Sequence, residues 1–181
     1  MDTKKRPVRK TIVLPSKKGG LIRTSSFSDV DRIVRSLFTT GDQPGKGILL
    51  VLDVDDTLLV SRSNTIVPTD PNLSHILKQL VKLGVRLKIL TARVKTQTSI
   101  VELHTHLLKL DIPCTNYVTQ HAIMTGAQVD KGTALLSRKQ TLQNVRAVVF
   151  VDDMVYNHTD VYKAMTKSYP HIVLRNILYN R

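Results

Sequence analysis

The sequence predicts an α/β fold, a three-layer sandwich around a mostly parallel central sheet. Three observations predict it. Two short runs, ILLVL at 48–52 and AVVFV at 147–151, are wholly apolar, as strands buried on both faces must be. Stretches with apolar residues at a 3.6-residue period lie between the strand-like runs, and that alternation marks crossover helices between parallel strands. The polar residues with chemical potential follow the strand ends, where open α/β sheets bind ligands. A chain of 181 residues suits one domain with a short extension.

The elements follow in order. Residues 1–20 (MDTKKRPVRKTIVLPSKKGG) read as a flexible basic arm, because a charge run with Pro and Gly buries too little to order itself. Ser28 can cap a short helix over 29–38, with Val30, Ile33, Val34, Leu37 and Phe38 on one stripe. Residues 39–47 (TTGDQPGKG) form a turn-rich connector. Residues 21–46 are therefore expected to be a helix and connector packed on a main domain at 47–181. The first core strand is 48–52. A small flap (LLVSRSNTIVP) follows. Asp70 then caps a helix with Pro71 at its first position, a stripe of Leu73, Ile76, Leu77, Leu80 and Val81, and a stop at Gly84. A second strand at 85–90 and a helix at 97–110, halted by Asp111 and Pro113, come next. A third strand is expected at 115–119, a helix at 132–140, the apolar strand at 147–151 and a helix at 154–167. That last helix carries Val155, His158, Val161, Tyr162 and Met165 on one stripe, and 171–174 closes the series. The chain has no internal repeat.

Composition narrows the function. The 27 Lys and Arg against 14 Asp and Glu give a net charge of +13, which points to nucleic acid, an anionic membrane surface or a phosphorylated substrate. The single cysteine, Cys114, excludes an intramolecular disulfide framework and a Cys-based zinc site, and fits a reducing, cytoplasmic compartment. Delivery into a host cell would leave the same composition. No apolar run approaches the roughly 18 residues of a membrane span. Residues 1–20 lack the apolar core of a secretory signal.

The acids are unevenly placed. Asp53-Val54-Asp55-Asp56 follows the first core strand, and Asp152-Asp153 follows the late apolar one. Like charges grouped in this way need a neutralising cation or lysine, and hard oxygen ligands suit Mg²⁺. Thr91 ends the second strand, and Lys131 precedes a helix.

These residues resemble the four motifs of the haloacid dehalogenase (HAD) superfamily, in its phosphatase branch. The first, D-x-D-x-T after an apolar strand, is Asp53-Val54-Asp55-Asp56-Thr57. The second is Thr91 in LKILTAR, and the third is Lys131 in VDKGTALL. The fourth is the acidic pair of VVFVDD, with Asn157 a few residues on. The match runs from about residue 48 to residue 174. The stretch Ser26-Phe27-Ser28-Asp29-Val30 also resembles an uncharacterised bacterial group within that superfamily.

The resemblance implies a Rossmann-like, HAD-like sandwich and Mg²⁺-dependent hydrolysis of phosphate monoesters through an aspartyl phosphate. It makes Asp53 the nucleophile and Asp55 the general acid and base. The Thr91 hydroxyl and the backbone N–H of Ala92 would hold phosphoryl oxygens, and Lys131 would neutralise Asp53 and the phosphate. Asp53, the backbone carbonyl of Asp55 and Asp152 would hold Mg²⁺. Asp153 and Asn157 would orient metal waters or Lys131, and Thr57 would steady the loop. An aspartate at position 55 argues against dehalogenase chemistry, which releases no alkoxide needing a proton. The intervals between motifs leave room for a small flap and no large cap domain. The open site then favours a phosphoprotein, through phosphotyrosine or phosphoserine, over a small metabolite.

Other residues read more plainly. Arg93 is open between substrate contact and solvated charge. The six histidines show no metal-like cluster, and Cys114 has no basic neighbour to activate it. The basic arm is a solubilising tail, or it binds an anionic membrane surface at about 1 kcal/mol per cation. The absence of an aromatic-rich basic stretch in the body argues against nucleic acid. Two further classes stay open, a receiver-like phospho-accepting domain and a non-catalytic module that binds anionic surfaces. A receiver's acidic pair would follow the first strand, with the phosphorylated Asp on a later one. The order here, Asp53-x-Asp55 first and a second pair after Lys131, suits a phosphatase better.

Overall fold

The computed structural model describes residues 20–63, 65–113, 122–126 and 128–180. A six-stranded sheet organises them, in the order β1 (Leu21–Thr24), β8 (Val173–Tyr179), β7 (Ala147–Asp152), β2 (Ile48–Leu52), β5 (Arg86–Thr91) and β6 (Ile123–Met124). Every pairing in it is parallel. The all-apolar runs take the centre because only they tolerate cover on both faces, and every residue of β2 and β7 is buried.

Alternate residues of those strands feed two cores. Leu50, Leu52, Val149 and Val151 point into one face with α1 (Phe27–Arg35), α2 (Leu73–Lys82) and α3 (Gln97–Lys109). Leu49, Val51, Val148 and Phe150 point into the other, with α4 (Lys131–Ser137), a 3₁₀ turn (Lys139–Leu142) and α5 (Val155–Ser168). The result is the three-layer α/β sandwich expected, with five α-helices among the described residues. A two-stranded antiparallel hairpin, β3 (Leu59–Arg62) with β4 (Thr65–Pro68), forms the flap between β2 and α2. No helix of the described residues is long and apolar enough to cross a membrane.

Several elements differ from their expected form. Residues 21–24 form an edge strand of the sheet itself, in register with β8 from Leu21↔Asn176 to Thr24↔Tyr179. The first helix starts at Phe27, not Asp29, and its cap is Ser26, whose side chain accepts from the Ser28 N–H. Phe27 sets that start: it is fully buried, its ring lies 5.1 Å from that of Tyr179, and its N–H donates to Asp70 Oδ2 at 2.8 Å. Asp70 also accepts from the Asn72 N–H at 2.8 Å, although the regular helix begins only at Leu73. Gly84, at φ +93°, turns the chain out of α2. The closing strand begins at Val173, not His171, and runs on to Tyr179. In α5, His158, Val161 and Met165 are buried, but Val155 and Tyr162 face solvent. The basic arm up to residue 19, the strand expected at 115–119, Cys114 and His121 lie outside the described residues.

α4 and α5 pack closely at Gly132. A Cβ there would come within 2.3 Å of the Asp160 backbone oxygen. Gly132→Ala must therefore displace α4 and the adjoining Lys131. We expect this variant to lose about 1–3 kcal/mol in denaturant unfolding, the range of other overpacked sites. An unchanged midpoint would show that the two helices part freely.

Candidate active site

Sheet order locates the site. From β2 the chain moves outward through β5 to β6, then returns as β7 on the other side of β2. The direction of winding reverses between β2 and β7, and a ligand crevice is expected just beyond their carboxyl ends. Asp53 follows β2 directly, Asp152 ends β7, and the Asp53 N–H donates to the Val151 carbonyl at 3.0 Å. Parallel pairing thus puts two carboxylates side by side.

Lys131 lies between them. Its Nζ donates to Asp53 Oδ1 at 2.5 Å and to Asp152 Oδ2 at 2.7 Å, and all three side chains are buried. Asp130 fixes where α4 begins: its side chain caps the helix by accepting from the Thr133 N–H at 2.7 Å, which makes Lys131 the first helical residue. Asp152 is held further by Asn157 Nδ2, at 2.9 and 3.0 Å from its two oxygens, and by the Met154 N–H at 2.8 Å. The His158 Nε2 lies 3.0 Å from the Asp152 carbonyl oxygen, and Nδ1 lies 3.4 Å from Asn176 Oδ1. Thr57 is fully buried, and its hydroxyl donates to Asp53 Oδ2 at 3.4 Å.

Thr91 is buried at the end of β5, its carbonyl accepting from the Thr125 N–H at 2.9 Å and its hydroxyl from the Arg93 N–H at 3.3 Å. Ala92 beside it is exposed. Asp55 differs from the other acids. Its side chain is 56% exposed, and Arg93, on the loop after β5, grips it with Nε at 2.9 Å and Nη2 at 2.6 Å. The Asp53–Asp55–Thr57 segment is a tight turn, with Asp56 at φ +58° and the Leu58 N–H bonded to the Val54 carbonyl.

One oxygen each from Asp53, Asp152 and Asp153 lies within 4.8 Å of the others, a spacing that could hold a metal ion. Three acids stand against one ammonium in a largely buried pocket. A divalent cation that prefers oxygen ligands fits that donor set. Asp153, which the sequence placed behind the metal, stands among the candidate ligands.

The electrostatics carry the same imbalance. Burial pushes the Asp53 carboxyl up to about 7; the Lys131 ammonium opposes the rise and the Asp152 carboxylate adds to it. Burial and Asp152 also raise Asp153. For Lys131, burial works to lower its pKa, but the Asp53 and Asp152 carboxylates outweigh it and the group is held above its usual value. Burial lowers His158.

Sequence reasoning found the buried constellation but missed two contacts. The Arg93–Asp55 pair joins residues 38 apart, and its one signal was an arginine two residues after a strand-end threonine. His158 stands in the sequence only as one of the apolar-stripe positions of the last helix, and its contact with the Asp152 carbonyl depends on the placement of α5. No family model matches the chain, and neither a curated protein nor a solved structure matches it.

The raised Asp53 has a thermodynamic consequence. An unfolded Asp titrates near 3.8, so from about pH 4 to about pH 7 the folded, metal-free protein binds more protons at this site than the unfolded chain. Its contribution to stability is lost as pH rises through that window. His158, lowered on folding, contributes with the opposite sign. We expect thermal melts in EDTA to show wild type losing stability relative to Asp53→Asn as pH rises across the window. Mg²⁺ should restore wild type and not the variant. Parallel profiles, or equal Mg²⁺ effects, would contradict the assignment.

Proposed function

We propose that the chain is a Mg²⁺-dependent phosphatase of the haloacid dehalogenase type, acting on phosphate monoesters through an aspartyl phosphate on Asp53. The observation that carries this reading is the buried Asp53–Lys131–Asp152 contact. Three of the four motifs that resemble that superfamily meet in it, from positions 53, 131 and 152.

The chemistry divides among named groups. An Asp53 oxygen attacks phosphorus while the ester P–O bond breaks, and the departing oxygen takes a proton from Asp55, which enters this step as the neutral acid after taking a proton from solvent. Asp55, now a carboxylate, removes a proton from water; the resulting hydroxide attacks the aspartyl phosphorus and releases Asp53 and phosphate. Lys131 offsets the charge gathering on phosphoryl oxygens, and Thr91 and the Ala92 N–H contribute hydrogen bonds to them. Asp152, Asp153, Asp53 and the Asp55 carbonyl would hold Mg²⁺, which supplies charge stabilisation for the transferring group. Thr57 and Asn157 keep Asp53 and Asp152 in place.

The surroundings support a macromolecular substrate. Among the described residues, β3, β4 and α2 are the elements between the first two motifs, and none is a separate cap. Five exposed apolar residues flank the site residues in sequence: Val94 after Thr91, Val129 before Lys131, and Met154, Val155 and Tyr156 after Asp153. Exposed apolar residues on the segments that carry the site residues suit a phosphate on an aromatic side chain in a peptide better than a sugar phosphate.

The test is turnover of a generic aryl phosphate, followed by a panel of phosphopeptides and phosphometabolites. Asp53→Asn should lose at least about a thousandfold in kcat, an effect of the size seen on removing catalytic nucleophiles, and EDTA should abolish wild-type activity. Phosphotyrosyl peptides should give the highest kcat/KM. Full activity in Asp53→Asn, or indifference to EDTA, would sink the mechanism; preference for a phosphometabolite would sink the substrate class alone.

A further inference from the structure

The proposed chemistry leaves Arg93 without a part, yet its placement is unusual for a surface arginine. Its side chain is only 20% exposed, whereas that of its partner Asp55 is 56% exposed. The loop that carries Arg93 is tied down at both backbone groups: its N–H donates to the Thr91 hydroxyl and its carbonyl accepts from the Gly126 N–H at 3.2 Å. The backbone that carries the guanidinium is therefore fixed, and the guanidinium meets an exposed carboxylate. Asp53 and Glu102 also lie close enough to stabilise its charge. Lys131 is the other cation here, and both of its partners are buried.

An arginine fork fits two oxygens of a carboxylate or of a phosphate equally well. The Asp55 end of this pair is open to water, which screens it and gives a competing anion access to the fork. Its partner Asp55 stands two residues from Asp53, so a phosphate dianion bound at Asp53 would bring to the fork more negative charge than Asp55 offers. We propose that Arg93 is a phosphate-binding residue that exchanges Asp55 for the phosphoryl oxygens of the substrate, so that the substrate's own phosphate frees Asp55. The role of the freed Asp55 rests on the phosphatase reading; the exchange itself requires only phosphate binding. It makes Asp55 available when the site is loaded and keeps it occupied when the site is empty.

The exchange can be measured without turnover. Inorganic phosphate is titrated calorimetrically, with Mg²⁺ present, into wild type, Asp55→Asn, Arg93→Ala and the double variant. Arg93→Ala should weaken binding by at least about tenfold, the loss of a charge-assisted pair. Asp55→Asn should tighten it, because Arg93 no longer has a competing partner. The cycle then discriminates: the gain from Asp55→Asn should vanish in the Arg93→Ala background. A gain of the same size in that background would mean that Asp55 only repels phosphate, and would overturn the exchange. Unchanged affinity in Arg93→Ala, or no phosphate binding by wild type, would also overturn it. Arg93→Lys keeps the charge but loses the fork, and should bind phosphate more weakly than wild type with an unchanged melting temperature. Binding equal to wild type would overturn the bidentate role. Retained turnover in Asp53→Asn would remove the phosphatase reading and leave this binding cycle standing.

Discussion

Two carboxylates buried at the adjacent ends of β2 and β7 can coexist because the Lys131 ammonium lies between them, within 2.7 Å of both. Much of the local structure serves that contact. Parallel pairing of β2 with β7 brings the acids together, and the Asp130 cap sets the residue at which α4 begins. Gly132 lets α4 press against α5, and α5 in turn supplies Asn157 and His158 to hold Asp152. Removing one member of a buried ion pair costs about 3–5 kcal/mol, because the other charge is left without compensation. Lys131 cannot complete the compensation alone. Asp153 joins the two acids, and burial, with Asp152 beside it, raises the Asp53 carboxyl against the opposing pull of Lys131.

The site thus has two kinds of ion pair, and they suit different tasks. Lys131 with Asp53 and Asp152 is buried and short, and its carboxylates are held by the Thr57 hydroxyl, the Asn157 amide and the Met154 N–H. Arg93 stands on a fixed backbone, and its pair with Asp55 is open to solvent on one side. A buried pair preserves geometry, while a pair open to solvent on one side is accessible to a competing anion. The proposed phosphoryl transfer would use both properties, a fixed point for Asp53 and an exchangeable partner for the arriving anion. This division also gives meaning to the charge of the chain. A protein with a net charge of +13 concentrates several of its few acids at one sheet edge. Its cations there are either locked into that cluster or poised at its mouth.

The parts legible in the sequence were those that depend on near neighbours. The strands at β2 and β7 are pure apolar runs, and only burial on both faces explains such runs. Asp53, Thr91, Lys131 and Asp152 could be listed because each stands at a strand end or helix start that local pattern reveals. β1 was illegible because a four-residue edge strand, half-buried and carrying Arg23, has no periodicity to show. Phe27 rather than Asp29 opens α1 because its partner, Tyr179, lies at the far end of the chain. The rank of Asp153 among the candidate ligands and the grip of Arg93 on Asp55 are likewise distance-dependent. Spacing along a chain does not say which of two neighbouring acids turns inward, or which arginine will reach across from the next strand.

The central claim is that Asp53 accepts the phosphoryl group. It is tested most directly by trapping: the protein is mixed with an aryl phosphate and Mg²⁺, quenched during turnover, and treated with borohydride, which reduces an acyl phosphate to the alcohol. Peptide mass spectrometry then reads residue 53. The expected result is homoserine in place of Asp53, dependent on both substrate and Mg²⁺, with Asp55 and Asp152 unmodified. Turnover with Asp53 unmodified, or with the label on another residue, would contradict it.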